Sequence, residues 1–322
     1  MDARANRNRP LPAESGDASD LKGLLARVRR IEITAQRLVN EQLSGRYHSV
    51  FKGRGMSFDE VRPYSPGDEV RLIDWNVSAR TGDVFIKHFV EERELTVIIL
   101  ADASMSMDFG LSAADYKGLR GVERVEDTKR EMAAQVAAAI ALSAQMNNDR
   151  VGLVTFGADV GTFIPARKGR QHALRVIREV LAMRAPGAPS RLDQALAYLG
   201  RVVKRRAAVF VVSDFEVPPF EPDLRVAARR HDVHALMVRD PIEDRLLQAG
   251  VMPLRDAETG ELSFVATTPA FLQRYRDERE QRTAATLQVF KRLRVPCTSF
   301  ATDRPFDRDL AGHFARLKGI AL

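Results

Sequence analysis

The chain has 322 residues, is 45% hydrophobic and 29% charged, and carries 50 basic against 43 acidic side chains. That composition suits a folded protein with one large core or two modest ones, and its thin basic excess is spread along the chain rather than gathered into a nucleic-acid-binding face. The single cysteine, Cys297, excludes an intrachain disulfide and a cysteine-based zinc site, as expected for a reducing compartment.

Residues 1–19 are polar and contain proline, with no apolar segment of a secretory signal, and read as a disordered lead-in. Residues 20–45 place Leu21, Leu24, Leu25, Val28, Ile31 and Leu38 at helical spacing, with Asp20 as N-cap and Gly45 as stop. Tyr47 to Glu94 is rich in glycine, proline and charge, with β-like pieces such as "VFIKHF" and a type II turn at "SPGD". Residues 20–94 are therefore expected to form a helix plus a small β-rich domain.

From Leu95 strands and helices alternate. Strands are expected at 95–101, 150–157, 207–214, 233–240 and 295–302, with a short edge strand at 159–166. Helices are expected at 126–147, 169–183, 190–205, 222–230 and 307–318, with a hairpin and a long charged helix inserted at about 241–294. No apolar run nears the ~18 residues of a membrane helix, and "VAAAIAL", 136–142, is the nearest. The expected compartment is the cytoplasm. The order implies a doubly wound, mostly parallel α/β sheet over 95–322, with ligands beyond the carboxyl ends of the strands.

Two acids, Asp102 and Asp214, stand where apolar strands end, and Asp102 opens "DASMS" with Ser104 and Ser106. Short oxygen-bearing side chains at alternate positions suit Mg²⁺, which takes oxygen donors and keeps waters. They equally suit a local helix cap. Asp-x-Ser-x-Ser after the first strand resembles the metal-ion-dependent adhesion site of von Willebrand factor A domains. The resemblance adds a hydroxyl before a middle helix, where "SRLDQAL" has Ser190 in place of the usual Thr. It implies one Mg²⁺ or Mn²⁺ held by Asp102, Ser104, Ser106, Ser190 and Asp214.

Other motifs resemble the bacterial family catalogued as domain of unknown function 58. They are Gly55 and Phe58, Arg62 and Tyr64, Pro66 to Asp68, Arg71 to Trp75, and Ala79 with Arg80. "DPIEDRLLQAGVMPLRDAETGE" at 240–261 fits the same family. The resemblance covers about residues 45–318 and implies a von Willebrand A-like second half. It also implies an adaptor or co-chaperone role beside a MoxR-type AAA+ ATPase and a client protein, with no enzymatic activity.

Two other function classes compete. Asp102 is a possible nucleophile of a metal-dependent phosphohydrolase, but Ser104 stands where a second acid would protonate the leaving group. A basic nucleic-acid adaptor is the other. No Gly-x-Ser-x-Gly elbow or P-loop is present. "GDEVRLIDW" reads as an ion-pair network with Trp75 as packing anchor, or as a docking surface. His231 and His234 are expected on opposite faces of a strand, which disfavours zinc.

Overall fold

The computed structural model describes residues 17–43, 47, 50, 56–91, 94–108, 128–183, 190–244, 246, 248–256 and 261–320. Helix α1 (Asp17–Leu38) runs into a π-type turn, Val39–Leu43. The helix starts before Asp20, so that residue lies within it and is not its cap; Gly45 lies outside the described residues. Ile31, Ala35 and Leu38 are buried in the core of the larger domain, continued by Val39 and Leu43. The sequence grouped this helix with the small β unit. Its apolar stripe instead needs a broad surface, which a two-stranded unit does not offer.

Strand β1 (Met56–Pro63) pairs antiparallel with β2 (Phe85–Glu91), with a bulge between Phe58 and Glu60. Between them lies α2 (Trp75–Thr81), capped by Asp74, whose carboxylate accepts from the amides of Asn76 and Val77. Gly67, at φ 108°, takes the left-handed position that a type II turn requires. Arg62 forks onto Asp68 at 2.9 and 2.7 Å, an ion pair of the expected kind. Trp75 is not a packing anchor: it is 67% exposed.

The larger domain is built on a six-stranded sheet. After β3 (Thr96–Asp102) come α3 (Lys129–Met146), β4 (Arg150–Phe156), β5 (Val160–Arg167), α4 (Arg170–Ala182) and α5 (Leu192–Val202). Then follow β6 (Ala208–Ser213), α6 (Glu221–Arg230), β7 (Asp232–Arg239) and the short α7 (Pro241–Asp244). A two-stranded hairpin, β8 (Val251–Arg255) with β9 (Leu262–Ala266), leads to α8 (Pro269–Leu293), β10 (Cys297–Ala301) and α9 (Asp307–Ile320).

The spatial order is β10-β7-β6-β3-β4-β5, parallel except for β5, which runs antiparallel on the β4 edge. This is the mostly parallel, doubly wound α/β architecture expected from the sequence. Alternation in β3 feeds both cores. Val97, Ile99 and Ala101 face a layer that includes α1, α3, α4 and α9, while Ile98 and Leu100 face α5, α6 and Phe290 of α8. A Cβ at Gly152 would lie 2.8 Å from the Ile164 carbonyl oxygen, so only glycine lets β4 and β5 approach so closely. Among the described residues, no helix is long and apolar enough to cross a membrane.

Candidate metal centre

Strands β3 and β6 are parallel neighbours, with Ala101 opposite Val212, so both end on one edge of the sheet. Asp102 ends β3, and Asp214 follows the last residue of β6. Phe215 then turns the chain at φ 59°, a left-handed conformation that costs a bulky residue about 1–3 kcal/mol. Its ring is held against Phe290 at 5.0 Å and Phe220 at 6.0 Å, and this packing offsets the strain.

All five residues expected to ligate a cation come together. Oδ1 of Asp102 accepts from the Ser104 amide at 2.9 Å and from the Ser190 hydroxyl at 3.1 Å. Its Oδ2 accepts from the Ser213 hydroxyl at 2.6 Å. The Ser104 and Ser106 hydroxyls lie 2.9 Å apart, and Ser106 hydrogen-bonds Asp214. The amide of Arg191 donates to the Gly157 carbonyl at 2.7 Å, which ties the segment beginning at Ser190 to the end of β4.

Three residues that complete the site escaped the sequence reading. Ser213 holds Asp102. Arg130 donates to the carbonyls of Ala103 and Ser104 at 3.3 and 3.1 Å, and pairs with Asp108. Lys129 is 1% exposed, and its ammonium donates to Asp214 at 2.8 Å and to Glu243 at 2.6 Å. One signal for Lys129 was present. The capping box of Thr128 and Glu131 starts α3 at Lys129, and a cation in a first helical turn opposes the helix dipole.

Burial and the nearby Asp214 charge push the Asp102 carboxyl up to about 6. Burial acts the same way on Asp214, but the Lys129 ammonium outweighs it and holds that carboxyl below its ordinary value. The donors fit a hard divalent cation, because all five are oxygens and two carry charge. No group of three or more His, Cys, Asp or Glu that could hold a metal occurs among the described residues, so an ion here would rest on two carboxylates and three hydroxyls. All five are buried, Asp102 and Ser104 completely and Ser106 and Asp214 with 7% exposure each.

Residues 60–285 match the family described as "Protein of unknown function DUF58". The chain belongs to the DUF58 family. That span covers the Arg62–Asp68 pair, all five candidate ligands and most of α8. The DUF58 chain is also 31% identical over 310 residues to the uncharacterized protein Rv1480 of Mycobacterium tuberculosis, across 95% of this chain and 93% of that one. It is 27% identical over 153 residues to the uncharacterized protein YeaD of Bacillus subtilis, across 48% of this chain and 33% of that one. Among solved structures, the conserved hypothetical protein BatB of Bacteroides thetaiotaomicron aligns at 14% identity with a TM-score of 0.39, covering 70% of this chain and 99% of that one. The SpRpn10 VWA domain aligns at 14% identity with a TM-score of 0.36, covering 67% and 93%.

Proposed function

We propose that this chain is a protein-binding adaptor whose binding edge depends on one divalent cation, Mg²⁺ or Mn²⁺. The observation that carries the reading is the meeting of Asp102, Ser104, Ser106, Ser190 and Asp214 at the carboxyl edge of β3 and β6. These residues would hold the ion, and a bound ion would supply an electrophilic position for an aspartate or glutamate of a partner. The chain's own part is to fix the oxygens. Ser213 orients Asp102, Arg130 holds the loop carbonyls, and Lys129 balances Asp214.

The motif resemblance supplies the rest of the reading: a MoxR-type AAA+ ATPase as partner, a protein complex under maturation or remodelling as client, and the cytoplasm as compartment. No reaction is assigned to the chain. Asp102 accepts three hydrogen bonds and is 0% exposed, which favours a structural ligand over the nucleophile of a phosphohydrolase.

Calorimetric titration with Mg²⁺ and Mn²⁺, on wild type and Asp102→Ala, tests the metal. Saturable heat is expected from wild type and none from the variant, whose fold circular dichroism would verify. Equal heats from the two proteins, or none from wild type, end the proposal. A MoxR-type ATPase from the same cell should be retained by wild type in Mg²⁺ and released by chelator.

A further inference from the structure

Beside Asp214, which it shares with the candidate metal centre, and away from the other four candidate ligands at the end of β3 and before α5, lies a narrow cleft of about 20 Å³. The chain ends of β6 and β7 form one wall. The other is a stripe of α8 made of Arg279, Arg282, Thr283 and Thr286. That spacing puts the four on one helical face, turned toward the domain. Domain-facing stripes are ordinarily apolar, and this one is polar between its two buried apolar residues, Leu272 and Phe290.

Arg279 is committed within the chain, to Glu243 at 3.2 Å and to Glu216 at 3.4 Å. Arg282 is exposed and, among the described residues, has no ion-pair partner. The hydroxyls of Thr283 and Thr286 likewise make no hydrogen bond within the described residues, although both line the cleft. A guanidinium fork and two hydroxyls thus face a concave space that the chain does not fill.

We propose that this cleft receives the carboxylate of an acidic peptide segment, with Arg282 as its charge partner and Thr283 and Thr286 as hydrogen-bond donors. The proposal rests on the reading of this sheet edge as a protein-binding one. A carboxylate is planar and matches the fork of one arginine. Asp214, Glu216 and Glu243 at the same cleft, each paired with Lys129 or Arg279, would repel its single charge less than that of a doubly charged phosphate. Because Asp214 borders both places, a chain lying along the edge can set one acid in the cleft while its neighbour faces the candidate metal centre.

The probe is a fluorescein-labelled hexaglutamate peptide, followed by anisotropy with the full chain at low ionic strength, in EDTA and again in Mg²⁺. Binding in EDTA is expected. Arg282→Glu, at an exposed position, should weaken it about tenfold or more, as for loss of a charge-assisted pair. Arg274→Glu, exposed on the same helix outside the cleft, should leave it unchanged. No binding by wild type, equal binding by wild type and Arg282→Glu, or equal loss in both variants overturns the proposal. Displacement of the peptide by equimolar inorganic phosphate overturns it too, since the ligand class would then be wrong. Binding in EDTA that depends on Arg282, beside a failed Mg²⁺ titration, would leave the cleft standing and remove the metal. The reverse pattern would do the opposite.

Discussion

The ammonium of Lys129 lies 2.8 Å from Oδ2 of Asp214, with both side chains almost wholly buried. The second acid of the candidate metal centre therefore already has a cation of the chain's own beside it. A buried pair of this kind adds little net stability, but removing one partner leaves an uncompensated charge. Lys129→Met is expected to destabilise the metal-free chain by about 3–5 kcal/mol in urea unfolding. Millimolar Mg²⁺ should recover part of that loss in the variant and act less on wild type. A variant as stable as wild type in EDTA would contradict the pairing.

Asp102 sets one pH dependence. Its carboxyl is raised to about 6 by burial and by Asp214, above its value in an unfolded chain. The folded state thus keeps this proton longer. The group's contribution is fully present below about pH 4 and is lost as pH rises through about 6. In EDTA, Asp102→Asn should remove this falling segment, worth at most about 1.4 kcal/mol per pH unit. Denaturant midpoints across pH 4 to 7 for both proteins measure it, and parallel curves would count against the assignment.

Two histidines act in the opposite sense. His313 is pushed well below its ordinary value by burial, by His234 and by Arg316, and His231 is lowered by burial and by Arg230. Each is buried neutral, and both ring nitrogens of His231 lack a hydrogen-bond partner among the described residues. The unfolded chain takes up these protons first, so stability is present above about pH 6.5 and lost as pH falls below it. His231→Leu should flatten the loss between pH 6.5 and 5. Unfolding at the two pH values, with and without the substitution, gives the difference.

Trp75 offers a direct optical check, because it is the chain's one tryptophan and is 67% exposed. Its emission should be that of a hydrated indole and should quench readily with acrylamide. Trp75→Ala should change stability by no more than about 0.5 kcal/mol. Shielded, blue-shifted emission from the isolated chain would contradict the exposure.

The sequence carried the strands and the two acids well, for a local reason. Continuous apolar runs such as "LTVIILA" mark strands buried on both faces, and an acid directly after such a run marks the edge where ligands gather. Lys129, Glu243 and the Arg279 stripe were not readable in that way. Their partners lie 85, 114 and 36 positions away, and nothing local in a charged side chain names a distant counter-ion. Trp75 misled because aromatic size suggests burial, whereas the short α2 has no buried residue at all. Helix α1 was assigned to the wrong neighbour because periodicity reveals an apolar stripe but not the surface that covers it.

The left-handed backbone at Phe215 ties two distant parts of the chain into one mechanical unit. Its ring is clamped by Phe290 near the end of α8, and the same kink aims the carboxylate of Asp214. A chain cut before Phe290 would lose more than a helix: the kink would keep its energetic cost without its clamp, and the carboxylate would lose its bearing.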